Sequence, residues 1–189
     1  YYALNDSERL LVLSKIAEVA KGRMKLIAGV NDLSTRGAIA KAKQAAELGY
    51  EALMMAPPAY SLPSQDEIIA HYVEVADNTP LPIIMYNFPA RAGVSIELDT
   101  VAQLSQHPNI IAIKESSGDF SRALALIQAD LPNFEIVCGC DDQAAEFLFW
   151  GVDSWISGTA NVFPKEQLAM LAAAQQQNWA LVKAHMIAM

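Results

Sequence analysis

Strand-like and helix-like segments alternate along all 189 residues, and that rhythm restricts the fold more than any single motif does. Asn5 and Glu8 sit at capping-box spacing ahead of a predicted helix reaching about Ala20, with Leu10, Leu13, Ile16 or Ala17, and Ala20 on one stripe. A strand over Met24–Val30 follows, then a helix opened by Ser34 and closed at Gly49, then a strand over Glu51–Ala56. Ser64 and Glu67 repeat the capping-box pattern for a helix to about Asp77. Leu81–Tyr86 reads as a strand, followed by a loop through Pro89 and Gly93 and a helix near Glu97–Gln106. Then come strand Ile110–Lys114 and helix Phe120–Ala129, strand Phe134–Cys138 and helix Asp141–Trp150, and strand Val152–Ser157. Pro164 suits the first turn of a helix to about Gln175, and a last helical stretch starts near Trp179.

Strands that alternate with helices become parallel neighbours, in either an open doubly wound sheet or a (β/α)8 barrel. No glycine-rich phosphate or dinucleotide loop opens any of the helices, which removes the main argument for a nucleotide-binding sheet. Six strands fall short of the barrel's eight, and an unclosed edge exposes apolar strand surface. The expectation is an α/β chain forming part of a (β/α)8 TIM barrel over residues 1–175. On this expectation the first two strand-helix units and most of the C-terminal helical region lie outside these residues, with 176–189 as the start of that region. The open sheet remains the alternative at this point.

Charge narrows the partners. The formal net charge is -8 with no basic patch, which argues against nucleic acid and anionic membranes. No apolar run reaches membrane-spanning length and no signal-peptide pattern is visible, so a cytoplasmic protein is expected. Cys138 and Cys140 point to the same side of a strand, too far apart for easy bridging, and are expected to be buried reduced thiols. His71, His107 and His185 are scattered without ligand spacing, which disfavours a metal-dependent aldolase.

Chemistry concentrates at the predicted strand ends. Lys114 closes the run Ile110-Ile111-Ala112-Ile113, where burial of an ammonium is costly and the neutral, nucleophilic amine is favoured. Alternation places it on one face with Ala112 and Ile110, and places Tyr86 with Ile84 and Pro82. Consecutive parallel strands lie about 5 Å apart, so a tyrosine and a lysine at neighbouring strand ends can share a rim. A desolvated amine attacks a ketone to give an iminium, and a phenol moves the protons that this requires. Arg91, held between Pro89 and Gly93, offers a guanidinium fork to a carboxylate or faces solvent. Tyr60, after Pro57-Pro58-Ala59, reaches the same rim, a neighbouring subunit, or only the surface.

These residues resemble the dihydrodipicolinate synthase/N-acetylneuraminate lyase family of Schiff-base (β/α)8 enzymes. The likeness lies in Tyr86-Asn87-Phe88-Pro89 with Arg91 and Gly93, then Ile113-Lys114-Glu115-Ser116-Ser117-Gly118-Asp119 at a tyrosine-to-lysine separation of 28. Pro57-Pro58-Ala59-Tyr60 and Ile156-Ser157-Gly158-Thr159-Ala160-Asn161 extend it over essentially the whole chain. The resemblance implies that Lys114 forms an imine with pyruvate, that Tyr86 relays protons, and that Arg91 binds the carboxylate of aspartate semialdehyde. It further implies that Tyr60 joins a neighbouring subunit's relay, and that Gly139 and Ile156 line the pyruvate site. No cofactor is implied beyond the covalent imine, and the partners are the substrates and other copies of the chain, as a homodimer or homotetramer.

Two features depart from the pattern. The family's Gly-Thr-Thr-Gly-Glu-like carboxylate loop falls before Tyr1, and Ala59-Tyr60 stands where many synthases have two tyrosines. The favoured reading is a 4-hydroxy-tetrahydrodipicolinate synthase-like lyase of lysine biosynthesis, because Arg91 supplies a carboxylate clamp. An aldolase or dehydratase of 2-keto-3-deoxy sugar acids, or an N-acetylneuraminate lyase-like enzyme, fits the same lysine and tyrosine. A barrel that has lost catalysis and serves as a binding subunit is the alternative of a different class.

Overall fold

A computed structural model describes residues 3–20 and 22–189, which fall into two compact units. The first runs to Ile113 and includes Leu131–Phe134; the second holds Lys114–Asp130 and Glu135–Met189.

In the first unit, helix α1 (Asp6–Ala20) precedes strand β1 (Ile27–Gly29), helix α2 (Thr35–Glu47) and strand β2 (Ala52–Met55). Helix α3 (Gln65–Asp77), strand β3 (Ile83–Asn87), the single turn α4 (Pro89–Ala92) and helix α5 (Leu98–Leu104) lead to strand β4 (Ile110–Glu115). Both predicted capping boxes form. The Glu8 amide donates to Asn5 Oδ1 at 2.9 Å while the Asn5 amide donates to Glu8 Oε2 at 2.9 Å. At α3 the Glu67 amide donates to Ser64 Oγ at 3.3 Å and the Ser64 amide to Glu67 Oε2 at 2.8 Å.

The strands β1, β2 and β3 pair in parallel and in chain order, with Leu53 opposite Ile83 and Met55 opposite Met85. The Ile83 amide donates to Asn109 O at 2.8 Å, which joins β3 to the start of β4. A doubly wound sheet reverses its strand order at a switch point, and this order never reverses. Right-handed crossovers that always step the same way keep their helices on one face. Leu53, Met55, Ile83 and Met85 are fully buried, as are Ile68, Tyr72 and Val75 of α3. Tyr72 also donates its hydroxyl to Met55 O at 2.5 Å. The opposite face of the strands carries Met54 against Ile84, and by alternation Tyr86.

Helix α1 departs from its expected stripe: Ala20 is buried, but Leu10 and Ile16 are exposed. Apolar residues ring this helix (Leu11, Val12 and Val19 are exposed too), so one side alone cannot bury them all.

The second unit holds the end of β4, then helix α6 (Phe120–Gln128), strand β5 (Glu135–Cys138) and helix α7 (Ala144–Phe149). Strand β6 (Ser154–Trp155) and helices α8 (Pro164–Gln175) and α9 (Trp179–Ala188) complete it. β5 pairs in parallel with β6, and the Gly139 amide donates to Glu115 O at 2.9 Å, linking β5 to β4. Phe147, Met170, Ala173 and Val182 pack with Ala123 and Cys138 in one apolar cluster. Among the described residues no helix is long and apolar enough to cross a membrane.

Candidate active site

The second unit carries Lys114, and strand alternation explains its setting. Lys114 and Glu115 project to opposite faces at the end of β4, and both are buried, with 8% and 2% of their surface exposed. Glu115 turns to α6. Its Oε2 accepts from Arg122 Nε at 2.9 Å and its Oε1 from the Ser117 amide at 2.7 Å. Asp119 caps the same helix, accepting from the Ser121 amide at 2.9 Å and the Arg122 amide at 3.3 Å. The acidic residues of the Lys-Glu-Ser-Ser-Gly-Asp run thus brace the strand end from which Lys114 extends.

Lys114 lies over Gly139, the residue directly after β5. A β-carbon added at Gly139 would sit 2.9 Å from Lys114 Cγ, 2.7 Å from Glu115 O and 1.9 Å from Ser116 Oγ. Glycine is therefore required for the close approach of the lysine stem, and not for an unusual backbone angle. Burial depresses the Lys114 pKa below that of an ordinary ammonium, and the acidic groups, Asp141 first, then Cys138 and Cys140, oppose the depression when ionised. Burial also pushes the Cys138 thiol up to about 12 and raises Cys140, so both stay neutral at neutral pH. Asp141 is then the member of that group that carries charge.

Burial works to raise the Asp141 pKa as well, but bonds from Ser157, Thr159 and Trp155 outweigh it and hold the carboxyl below its usual value. Asp141 Oδ1 accepts from Trp155 Nε1 and Oδ2 from the Thr159 amide, both at 3.0 Å. Gln167 Nε2 of α8 donates to Ser157 Oγ at 2.7 Å and also to Thr159 Oγ1. The segment after β6 is fixed by this network. Ile156 lies within it, half-buried, and its amide donates to Cys138 O at 3.0 Å.

Cys138 is buried and donates to Cys140 O at 3.3 Å, and both thiols are free. Cys140 is only half-buried, contrary to expectation, because it already belongs to the loop beyond β5.

The first unit carries a separate grouping. A cavity of about 560 Å³ is lined by Tyr86 and Arg91, together with Asn31, Asp32, Pro57 and Phe88 among others. Tyr86 is half-buried near the end of β3, and its ring lies 5.7 Å from that of Phe88. Asn87 points away and is fully buried, its Oδ1 accepting from the Ile96 amide at 3.0 Å. The expected loop at Pro89 is a helical turn, closed where Gly93 takes φ 78° and its amide donates to Pro89 O at 2.8 Å. That turn sets Arg91, which is exposed, on the cavity wall.

Asp32 sits on the same wall, paired with Lys41 Nζ at 2.7 Å. Burial works to raise its pKa, but Lys41 and Ser34 hold it below the usual carboxylate value. Tyr60 lies outside the lining set, where Ala59 takes part, and is 94% exposed at φ 76°. His71 is buried in α3 with Nδ1 2.9 Å from Thr35 Oγ1, and His107 lies 3.1 Å from Asp77.

The structure thus brings Tyr86 and Arg91 to one cavity and Lys114, Gly139 and Ile156 to one strand-end cluster. Asp141, Ser116, Asn31 and Asp32 were not singled out from sequence. For Asp141 a signal existed, since Gly-Cys-Asp-Asp is an acidic run at a strand end.

A family model described as the dihydrodipicolinate synthetase family matches residues 2–187. A 4-hydroxy-tetrahydrodipicolinate synthase of Exiguobacterium sp. is 40% identical over 171 residues, 90% of this chain and 58% of the relative. One from Stenotrophomonas maltophilia is 39% identical over 173 residues, with the same coverage. The crystal structure of chloride-inhibited dihydrodipicolinate synthase from Acinetobacter baumannii, complexed with pyruvate, superposes with a TM-score of 0.92 at 37% identity. It covers 97% of this chain, which spans 63% of that one. The chain therefore corresponds to somewhat under two thirds of the length of these relatives.

Proposed function

Because this chain belongs to the dihydrodipicolinate synthetase family, we propose that it forms a covalent imine between Lys114 and pyruvate and condenses the derived enamine with aspartate semialdehyde. The observation that carries this reading is the buried Lys114 amine, its pKa depressed by burial and its stem laid over Gly139. The neutral amine adds to the ketone, and loss of water gives an iminium whose charge draws electrons from the neighbouring carbon. A proton leaves the methyl group to give the enamine, whose carbon adds to the aldehyde.

Tyr86 carries the protons in this reading, Arg91 binds the carboxylate of the aldehyde, and Gly139 and Ile156 bound the pyruvate site. Tyr60, outside the lining of the cavity and highly exposed, serves a second subunit in a homodimer or homotetramer. The architecture corresponds to part of a (β/α)8 barrel, and catalysis uses the imine in place of a resident cofactor.

Borohydride reduction in the presence of pyruvate, followed by intact and peptide mass measurement, tests the proposal. A reduced adduct confined to Lys114, and ring-forming condensation with aspartate semialdehyde, are expected. Turnover of 2-keto-3-deoxy sugar acids alone would defeat the choice of aldehyde, and absence of any adduct would defeat the whole reading.

A further inference from the structure

Two buried side-chain polar atoms among the described residues lack a hydrogen-bond partner: His71 Nε2 and Ser116 Oγ. Ser116 is only 5% exposed, and its neighbours are all engaged. Glu115 is bonded to Arg122, the Ser117 amide to Glu115, and Ser117 Oγ to the Asp119 amide. A hydroxyl sealed from water without a partner is costly, and where a fold retains one the reason must be sought.

Its direction supplies the reason. Ser116 Oγ and Lys114 Cγ both converge on the bare α-carbon of Gly139, at 1.9 Å and 2.9 Å from the place a β-carbon would take. Three bonds separate that lysine carbon from the reactive nitrogen. The hydroxyl and the stem of the lysine therefore pack against the same glycine, and the hydroxyl takes the place that a side chain at Gly139 would fill.

We propose that Ser116 donates a hydrogen bond to the C2 oxygen of the 2-keto acid as Lys114 adds to it. The inference rests on the reading of Lys114 as the imine-forming amine. As the nitrogen lone pair forms the bond to C2, the carbonyl π pair moves onto oxygen, and Ser116 meets the growing negative charge with a donor already desolvated. A proton then passes from nitrogen to that oxygen, giving the carbinolamine. A second proton, taken from solvent, lets the oxygen leave as water while the nitrogen lone pair forms a new double bond to C2, giving the iminium. Ser116 keeps its own proton throughout.

The test is the time course of borohydride trapping with pyruvate in the natively assembled, full-length protein, read as adduct mass at Lys114. Ser116→Ala is expected to trap about a hundredfold more slowly than wild type. Its melting temperature should be unchanged or higher, because no internal bond is lost. Ser116→Cys, similar in size but a weak donor, should slow trapping in the same direction. A wild-type trapping rate in either variant overturns the proposal. Loss of thermal stability in Ser116→Ala also overturns it, since it reveals a partner for the hydroxyl within the fold. If the wild-type protein itself forms no adduct, the assignment of Lys114 fails and this inference falls with it, whereas equal labelling of wild type and variant removes Ser116 alone.

Discussion

Gly139→Ala is the smallest change that tests the strand-end cluster, because it adds one methyl group where three residues already converge. The new carbon would lie 1.9 Å from Ser116 Oγ, 2.7 Å from Glu115 O and 2.9 Å from Lys114 Cγ, while ordinary contact begins near 3.4 Å. The serine can rotate, but the Glu115 carbonyl cannot, since it accepts the Gly139 amide at 2.9 Å in the link between β4 and β5. The strand ends must therefore separate by several tenths of an ångström. Overpacking of this kind costs about 1–3 kcal/mol, and the displacement falls on the stem of Lys114. Misplacement by about 1 Å slows a positioned reaction on the order of a hundredfold, so a loss of about tenfold in pyruvate trapping is expected here. Urea denaturation reads the first effect and borohydride trapping the second. Gly29→Ala is the matched control, a strand glycine with nothing within 4 Å of the added carbon. Adding Ser116→Ala to Gly139→Ala should restore stability only in part, because it removes the hydroxyl and leaves the carbonyl contact. A Gly139→Ala protein that unfolds and labels like wild type would refute the close approach on which the site is built.

Arg122→Ala should destabilise the fold by about 3–5 kcal/mol, because it removes the cationic partner of the buried Glu115 carboxylate. An unchanged urea midpoint would contradict this. Burial holds the His71 pKa below its ordinary 6.5, with Asp32 opposing, so below that value the unfolded chain takes up a proton that the folded chain refuses. Stability should fall as pH drops from about 7 to about 5, and His71→Gln should flatten that part of the profile in urea titrations; an identical slope in the variant would rule His71 out. Arg91→Ala should raise KM for the aldehyde about 10- to 100-fold and leave pyruvate trapping at Lys114 unchanged. Slower trapping would show that Arg91 acts before the aldehyde arrives.

The sequence is most legible where structure is local. Two capping boxes formed at the residues whose spacing announces them, because each needs only atoms three positions apart. The strand-end placement of Lys114 and Tyr86 was legible for another reason: a polar residue closing an apolar strand is visible in one dimension. The turn Pro89–Ala92 was not, since four residues are too few to show helical periodicity. The helix expected from Asp141 begins at Ala144 after a 3-10 turn over Asp141–Gln143, and the structure gives the cause. Asp141 spends its carboxylate on Trp155 and Thr159 and caps nothing. The contacts of Ser116 and Gly139 were invisible for the same reason, being made across strands by residues over twenty positions apart.

Asp141 also shows why geometry and reactivity in this cluster cannot be adjusted separately. Burial alone drives the Lys114 amine toward neutrality, and the Asp141 carboxylate limits how far that goes. The same carboxylate ties Trp155 and the Thr159 amide together, and through Ser157 and Thr159 it meets Gln167 of α8. It stays ionised because those donors serve it, so the network that fixes the segment around Ile156 also maintains the charge that tunes the lysine. A change that loosens the segment withdraws donors from Asp141, raises its pKa, and weakens the field at Lys114. The balance between a nucleophilic and a protonated amine is therefore set by hydrogen bonds made on β6 and α8 as much as by the strand that carries the lysine.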